Sequence, residues 1–526
     1  MRLNRKALVL STVIALLRSV AASPDSIPAA PLHRTAPAGG DGSVSQLTGG
    51  ASPSATGEPL ALHPKNPHVF LFRGRPTVLI GSGEHYGAVI NVAFDFRRYL
   101  ATVAQDGLNH VRLFTGTYVE RPGDFGIRDN DLAPAPEQTL LPWARSQMPG
   151  AVMGGNLLDL DRWDEAYFER LRTFIAEAAR WGIVVEVTLF SAHYGSWDRQ
   201  PLASSNNTAG LPDLDKAKAH TLGNGQLLVR QEAVTRRIVS TLAAFDNIYY
   251  EIQNEPWADA SVTADITNPY ATPEELKHEG FFWKSRVDLA SAESLAWQAH
   301  MAEVVVGEEA KLGARHLVSQ NYANFRYPLR DVDSRVSILN FHYAWPEAVA
   351  LNRGLGRVVG FNETGFAGAA DATYRRQAWE FILAGGGLFS QLDYSFAVGH
   401  EDGRAAHLAP GGGSPELRRS FGVLAKEIHS LDLAVARNHD SVVLSAPGAY
   451  VWCFGVAGRD LLLYVRGDGR SALTLDLPPG SWRTEWIDVK TGARIRANVA
   501  ATAGGPVVLD VPTYEVDIAL RLRRER

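Results

Sequence analysis

Residues 248–257 read Ile248-Tyr249-Tyr250-Glu251-Ile252-Gln253-Asn254-Glu255-Pro256-Trp257. A short run of β-branched and aromatic residues ending in Asn-Glu-Pro has the pattern of a buried strand that delivers polar groups at its C-terminal end, since proline cannot continue a ladder. Comparable runs occur at Thr77 to Ile80, His110 to Phe114, Ile183 to Phe190, His316 to Ser319, Val336 to Phe341, Arg357 to Phe361 and Gly387 to Leu392. Helical periodicity separates them. Between 161 and 181, Tyr167, Phe168, Leu171, Phe174, Ile175, Ala178 and Trp181 recur at steps of three and four behind an acidic start, and Gly182 provides the stop. Phe94, Tyr99, Leu100 and Val103, then Val234, Ile238, Leu242 and Phe245, repeat the arrangement. Apolar strands alternating with amphipathic helices imply a parallel sheet covered on its outer face, and eight runs are the number a (β/α)8 TIM barrel needs. The α/β barrel is expected over residues 60–436. A doubly wound open sheet lacks its signature, because Gly87 falls one place too late after Gly81 and Gly83 for the dinucleotide fingerprint.

Beyond 436 the period shortens. Runs at Val442 to Ser445, Ala449 to Phe454, Leu461 to Val465, Ala472 to Leu477, Trp482 to Trp486 and Val507 to Val511 are separated by turn sequences such as Gly467-Asp468-Gly469 and Pro478-Pro479-Gly480. They predict a small all-β C-terminal sandwich over 437–526. At the other end, the basic start Arg2 to Lys6, the apolar stretch Ala7 to Leu17 and Val20-Ala21-Ala22 form a signal peptide over 1–22, which implies a secreted or periplasmic protein. That apolar stretch is too short to span a bilayer, so no membrane association is expected after cleavage. Residues 23–59 are rich in Pro, Ala, Gly and Ser and read as a flexible low-complexity leader.

Composition narrows the classes further. At 45% hydrophobic and 21% charged, the 526 residues are ordinary globular chain with enough apolar surface for a large core. The single cysteine, Cys453, excludes an internal disulfide and a multi-cysteine metal site. A net charge of -5 without a basic stripe argues against a nucleic-acid partner. No cofactor signature is present: His-Glu-x-x-His, the Gly-x-Ser-x-Gly elbow and the P-loop are all missing. Asn362-Glu363-Thr364 and Asn206-Asn207-Thr208 match the glycosylation sequon, the first of them by accident if it lies in a cleft.

In a barrel of this kind the chemistry sits at the C-terminal ends of the strands. Glu255 ends the fourth run, and Glu363 ends the seventh in Val358-Val359-Gly360-Phe361-Asn362-Glu363-Thr364. Their separation corresponds to three β/α units of about 36 residues, near the roughly 30 per unit expected when ~250 residues make eight. Both carboxyl groups then face one cleft. One acid that protonates a leaving oxygen and one carboxylate that attacks the anomeric carbon are what glycosidic bond cleavage requires, with Glu255 as the expected acid and Glu363 as the ionised partner.

On these motifs the chain resembles the clan A retaining glycoside hydrolases, and among them the cellulase-like enzymes of glycoside hydrolase family five and its relatives. The resemblance covers roughly residues 60 to 435. It implies Glu255 as acid/base and Glu363 as nucleophile, with Asn254 donating to the sugar 2-hydroxyl. Asn109-His110-Val111-Arg112-Leu113 matches the second-strand pattern in which Arg112 supports the nucleophile. His193 stands at the third-strand end where the family often has a histidine, and His342 with Tyr343 matches the sixth-strand region loosely. The eighth strand departs from the family's tryptophan platform with Gln391-Leu392-Asp393-Tyr394. The implied partner is an oligo- or polysaccharide.

Other residues fit the same cleft. Trp257 and Trp345 lie just past strand ends and suit stacking on a sugar face; Trp197 and Tyr394 are further candidates, with core packing the ordinary role for any one of them. Glu84-His85-Tyr86, ending the first strand, either contacts substrate or pairs with a neighbouring arginine. The connections 116–160 and 257–287 are long for a βα link and carry Tyr118, Trp143 and Trp283; walls of this kind favour an exo-acting or short-oligosaccharide enzyme over an open groove. A catalytically silent carbohydrate-binding protein on the same barrel is the competing class, and a uronic-acid lyase a third.

Overall fold

The structure is a computed structural model and describes residues 57–268, 282–406, 410–467, 469 and 472–525. The expected signal peptide, nearly all of the leader and the side chain of Trp283 lie outside the described residues. Eight parallel strands close into a barrel: β1 (Leu79–Gly83), β2 (His110–Phe114), β3 (Val184–Ser191), β4 (Ile248–Asn254), β5 (Leu317–Asn324), β6 (Val336–His342), β7 (Val358–Thr364) and β8 (Leu388–Leu392). Each pairs with the next, and β8 returns to β1 with Gln391 opposite Ser82. All eight sequence runs are therefore strands, displaced by a few residues at their ends where the apolar signal fades into polar strand-end residues.

Alternation along the strands separates two cores. Ile248, Tyr250 and Ile252 join the apolar layer under the helices, while Glu251 points to the barrel axis and meets side chains from β2, β6 and β7. The outer ring is α1 (Phe96–Gln105), α2 (Glu165–Trp181), α3 (Gln226–Leu242), α4 (Ala292–Leu312), α5 (Glu347–Asn352), α6 (Asp371–Leu383) and α7 (Pro415–His429). Side chains cap several of them: Asp164 accepts from the Ala166 N–H at the start of α2, whose end is closed by Gly182 at φ 71°. No helix joins β5 to β6, and residues 325–335 cross over as irregular chain. Among the described residues no helix is long and apolar enough to cross a membrane.

The sequence reading missed a small antiparallel sheet of Ala61–His63, Asn66–Phe72 and Arg75–Thr77, although its turn carries a signal. Arg73 (φ 47°) and Gly74 (φ 76°) are both left-handed, as a two-residue hairpin turn requires. Its Phe70 and Phe72 pack with Leu79, Val184, Val358 and Leu388 at the strand starts and plug the N-terminal mouth of the barrel. Only the opposite mouth carries the polar strand ends.

The C-terminal region is a sandwich of a six-stranded and a three-stranded antiparallel sheet. Arg494–Thr502 and Asp517–Arg524 are strands that the apolar runs did not reveal. The second lies in the middle of the larger sheet, pairing with Asp460–Gly467 on one side and Gly480–Ile487 on the other. Cys453 is buried in the sandwich core beside Trp482, Trp486 and Leu520, and burial pushes its thiol pKa up. The sandwich packs on α6 and α7. Trp379 stacks on Tyr464 at 5.4 Å, and Arg375 makes two 2.9 Å bonds to Asp517, which also accepts from the Tyr464 hydroxyl at 2.8 Å.

Candidate active site

Register brings the strand ends together. His342 pairs opposite Glu363 across β6 and β7, and Ser191 opposite Asn254 across β3 and β4. The residue after β4, Glu255, has φ 45°, a left-handed conformation that costs an L-residue about 1–2 kcal/mol and turns its side chain out of the strand's alternation. His342 Nδ1 then stands between the two glutamates, 2.8 Å from Glu255 Oε1 and 3.3 Å from Glu363 Oε1. Donor atoms of Glu255, His342 and Glu363 all lie within 4.8 Å of one another, so the two carboxyl groups share one small space.

Each glutamate has its own environment. Glu363 accepts from Arg112 Nη1 at 2.9 Å, from the Tyr86 hydroxyl at 2.9 Å and from the Tyr343 hydroxyl at 3.2 Å. Burial alone would raise its pKa, but the charges of His342 and Arg112 and the hydrogen bonds from His342 and Tyr86 hold it well below the usual carboxylate range. Glu255 accepts from His342 on one oxygen and from the Tyr194 hydroxyl at 2.7 Å on the other. Burial would lower the pKa of His342; Glu363 and Glu255 overcome that and raise it to about 9. The His342 ring is also perpendicular to Trp257 at 5.6 Å.

Beneath the pair lies a buried polar layer centred on Arg112. Its guanidinium donates to Glu186 at 2.8 Å, to Glu251 through a short bond, to Glu363 at 2.9 Å and to Asn254 Oδ1 at 3.0 Å. Tyr86 lies under the guanidinium at 4.6 Å. Burial and the neighbouring Glu186 raise the pKa of Glu251 against the pull of Arg112, while Asn340 and Asn362 each donate to its Oε1. Asn340 reaches Glu251 by passing over Gly360, where a Cβ would stand 2.4 Å from Asn340 Oδ1. Asn254 is fixed by the same layer: it donates to the Tyr194 hydroxyl at 2.8 Å and to Ser191 Oγ at 3.2 Å.

Of the residues singled out in the sequence, Glu255, Glu363, Asn254, Arg112, His342, Tyr343 and Trp257 converge here. His193 does not reach the pair. Its Nδ1 lies 2.8 Å from Asp259, its ring stacks on His220 at 4.7 Å, and Trp197 packs against it. The next residue, Tyr194 at φ 51°, turns inward in its place. Trp345 stacks on Phe325 at 4.8 Å with Arg326 5.3 Å from its ring, in the wall formed by the β5 and β6 ends. In the first-strand triplet, Tyr86 contacts Glu363, whereas Glu84 meets a second carboxyl, Asp131, in place of an arginine. Burial raises the pKa of Glu84 to about 7 even though the Gly87 and Ala88 N–H groups bind it. Just after β8, Asp393 is paired with Arg418 at 2.6 Å, and Tyr394 tilts against His85 at 5.8 Å. Trp143 is core, stacked on Trp163 at 6.2 Å.

Tyr194, Glu186 and Glu251 were not predicted. Glu186 and Glu251 do lie two residues from other inward positions, and charged residues inside apolar strands are the signal that could have found them. Among the described residues, two sets of ligand-type atoms lie within 4.8 Å, Glu255–His342–Glu363 and His193–His220–Asp259. A protein cation already stands at a carboxylate in each: Arg112 at Glu363, and Lys216 3.5 Å from Asp259.

No family model matches the sequence, and no curated protein matches it. Solved structures do. A protein from Bacteroides vulgatus ATCC 8482 aligns with TM-score 0.60 at 15% identity, over 90% of this chain and 84% of that one. A glycoside hydrolase of family 5 from the same organism aligns with TM-score 0.58 at 10% identity over 89% and 93%, and a further glycoside hydrolase with TM-score 0.54 at 11% identity over 89% and 97%. The chain thus has the fold of a family 5 glycoside hydrolase, a TIM barrel with antiparallel sheets behind it.

Proposed function

We propose that the protein is a retaining glycoside hydrolase acting on β-linked oligo- or polysaccharides, with Glu255 as acid/base and Glu363 as nucleophile. The observation that carries this reading is the separation of the two glutamates at the barrel mouth. Retaining enzymes hold their carboxyl groups about 5–5.5 Å apart and inverting ones about 6.5–9.5 Å, so one oxygen from each glutamate within 4.8 Å of the other, both beside the same His342 nitrogen, favours the shorter spacing. The glycoside hydrolases that share the fold support the reaction class.

The chemistry follows from the two environments. Glu363 Oε1 or Oε2 attacks the anomeric carbon as its bond to the leaving oxygen breaks, and Glu255 delivers a proton to that oxygen. Arg112, Tyr86 and Tyr343 keep the attacking carboxylate ionised and fixed. In the second step Glu255 takes a proton from water, whose oxygen replaces Glu363 at the anomeric carbon. His342, bonded to both glutamates, lets a proton move between its Nδ1 and Glu255 as the charge on Glu363 is consumed and restored.

Assay on 4-nitrophenyl β-glycosides and on plant and microbial polysaccharides beside Glu255→Gln and Glu363→Gln tests the proposal. Turnover by the wild type and a fall of at least ~10³-fold in each variant is the expected result. Equal rates in all three proteins would refute it. An aryl leaving group as weakly basic as 2,4-dinitrophenolate needs no proton, so its release from Glu255→Gln should be impaired far less than that of a sugar alcohol.

A further inference from the structure

The connection after β2 leaves the barrel at Gly116 and makes a rigid excursion over residues 118–132. On its β3 side, Gln200 accepts from the Val119 N–H at 2.9 Å and donates to the Val119 carbonyl at 3.1 Å. On its β1 side, the buried Glu120 gathers His85 Nε2 at 2.9 Å, Asn130 Nδ2 at 2.5 Å and the Tyr118 hydroxyl at 3.1 Å. Asp131 is buried against Glu84, and its backbone lies so close to Gly87 that a Cβ there would meet the Asp131 carbonyl oxygen at 2.1 Å. The excursion is thus pinned at both legs by buried polar groups, which makes it a fixed part of the wall.

Its tip is Gly123-Asp124-Phe125-Gly126. Gly123 (φ 83°), Phe125 (φ 56°) and Gly126 (φ 73°) are all left-handed, and the strained Phe125 is 40% exposed, unusual for an aromatic residue in so anchored a loop. The ring packs edge-on against Tyr194 at 5.1 Å and lies 6.3 Å from Phe366. Tyr194 follows β3 and holds Glu255, whereas Phe366 follows β7 three residues after Glu363. β3 and β7 are diametrically opposite in an eight-strand ring, so a side chain that touches residues after both must lie across the mouth.

Resting on the glycosidase reading above, we propose that Phe125 is a specificity-determining residue that bridges the barrel mouth and makes the site a blind pocket for the terminal residue of a β-linked chain. The enzyme then removes single sugars from chain ends, and the exposed ring face is a stacking surface for the sugar or aglycone at the entrance. An uninterrupted chain cannot lie across the glutamate pair while that bridge stands.

The test uses the full chain, wild type and Phe125→Ala, on linear β-1,4- and β-1,3-linked hexaoses of glucose, mannose and xylose tagged at the reducing end with 2-aminobenzamide. Wild-type protein is expected to give the tagged pentaose and free monosaccharide first. In Phe125→Ala, tagged di- to tetraoses should appear among the first products, with internal cuts rising about tenfold relative to terminal ones, while Phe125→Tyr keeps the wild-type ladder. Unchanged circular dichroism shows that the variants are folded. Internal cuts by the wild type from the outset, or the same ladder in Phe125→Ala, would overturn the pocket and leave the hydrolase standing. Absence of hydrolysis of every hexaose and every aryl glycoside by the wild type would overturn both.

Discussion

Arg112 joins stability to chemistry in a single side chain. It is fully enclosed, and three carboxyl groups and an amide take its donors. Replacing it by Met leaves buried carboxylates without their cation, which costs about 3–5 kcal/mol, and chemical denaturation of Arg112→Met should show a loss of that size beside the loss of activity. His342 sets a pH signature. Its pKa of about 9 in the folded chain lies above the ordinary 6.5, so its stabilising contribution is complete below pH 6.5 and is lost as pH rises from 6.5 through 9. Unfolding free energies measured across that window should fall for the wild type and lose that part of their slope in His342→Asn. At this scale the sequence was informative about position, since Asn254, Glu255 and Glu363 meet at the strand ends where their motifs put them. It did not foretell that Tyr194, and not His193, meets Glu255, because a left-handed turn at Tyr194 sends that side chain inward, and no local propensity announces such a turn for a tyrosine.

The strand ends repeat this device. Tyr86, Tyr194, Glu255, Phe325, Tyr343 and Phe366 follow six different strands, and all have φ between 45° and 59°. Each conformation costs about 1–2 kcal/mol and is held in place by packing and hydrogen bonds around the mouth. Within the barrel strands, the crossing at Gly360 is tight. Gly360→Ala would push its Cβ into Asn340 and break the bond from Asn340 to Glu251, for an expected loss of about 2–3 kcal/mol in a denaturant titration. The existence and order of the eight barrel strands were legible because apolar runs and helical periodicities alternate in the chain. The small sheet before β1 was not, because its two outer strands have only three residues each and its burial comes from the barrel floor it plugs.

For the molecule as a whole, the barrel and the sandwich share buried polar contacts. Arg375 on α6 is bound by Asp517, Trp379 stacks on Tyr464, and Arg521, enclosed in the sandwich, donates to the Glu427 carbonyl and Ser430 Oγ at the end of α7. Such contacts couple the two parts, so calorimetry should show one unfolding transition, and Asp517→Ala should lower stability by about 3–5 kcal/mol by leaving Arg375 buried and unpaired. The strand Asp517–Arg524 escaped the sequence reading because Arg521, Arg523 and Arg524 look like a charged tail. Only the folded sheet shows that Arg521 is buried against Asp460 at 2.6 Å.

Retention by the Glu255 and Glu363 pair is the central claim, and the anomeric configuration of the first product tests it most directly. With a 4-nitrophenyl β-glycoside that the wild type hydrolyses, proton NMR recorded before mutarotation should show the β-anomer appearing first and the α-anomer growing only later. Initial release of the α-anomer would mean a single displacement and would contradict the assignment of Glu363 as nucleophile.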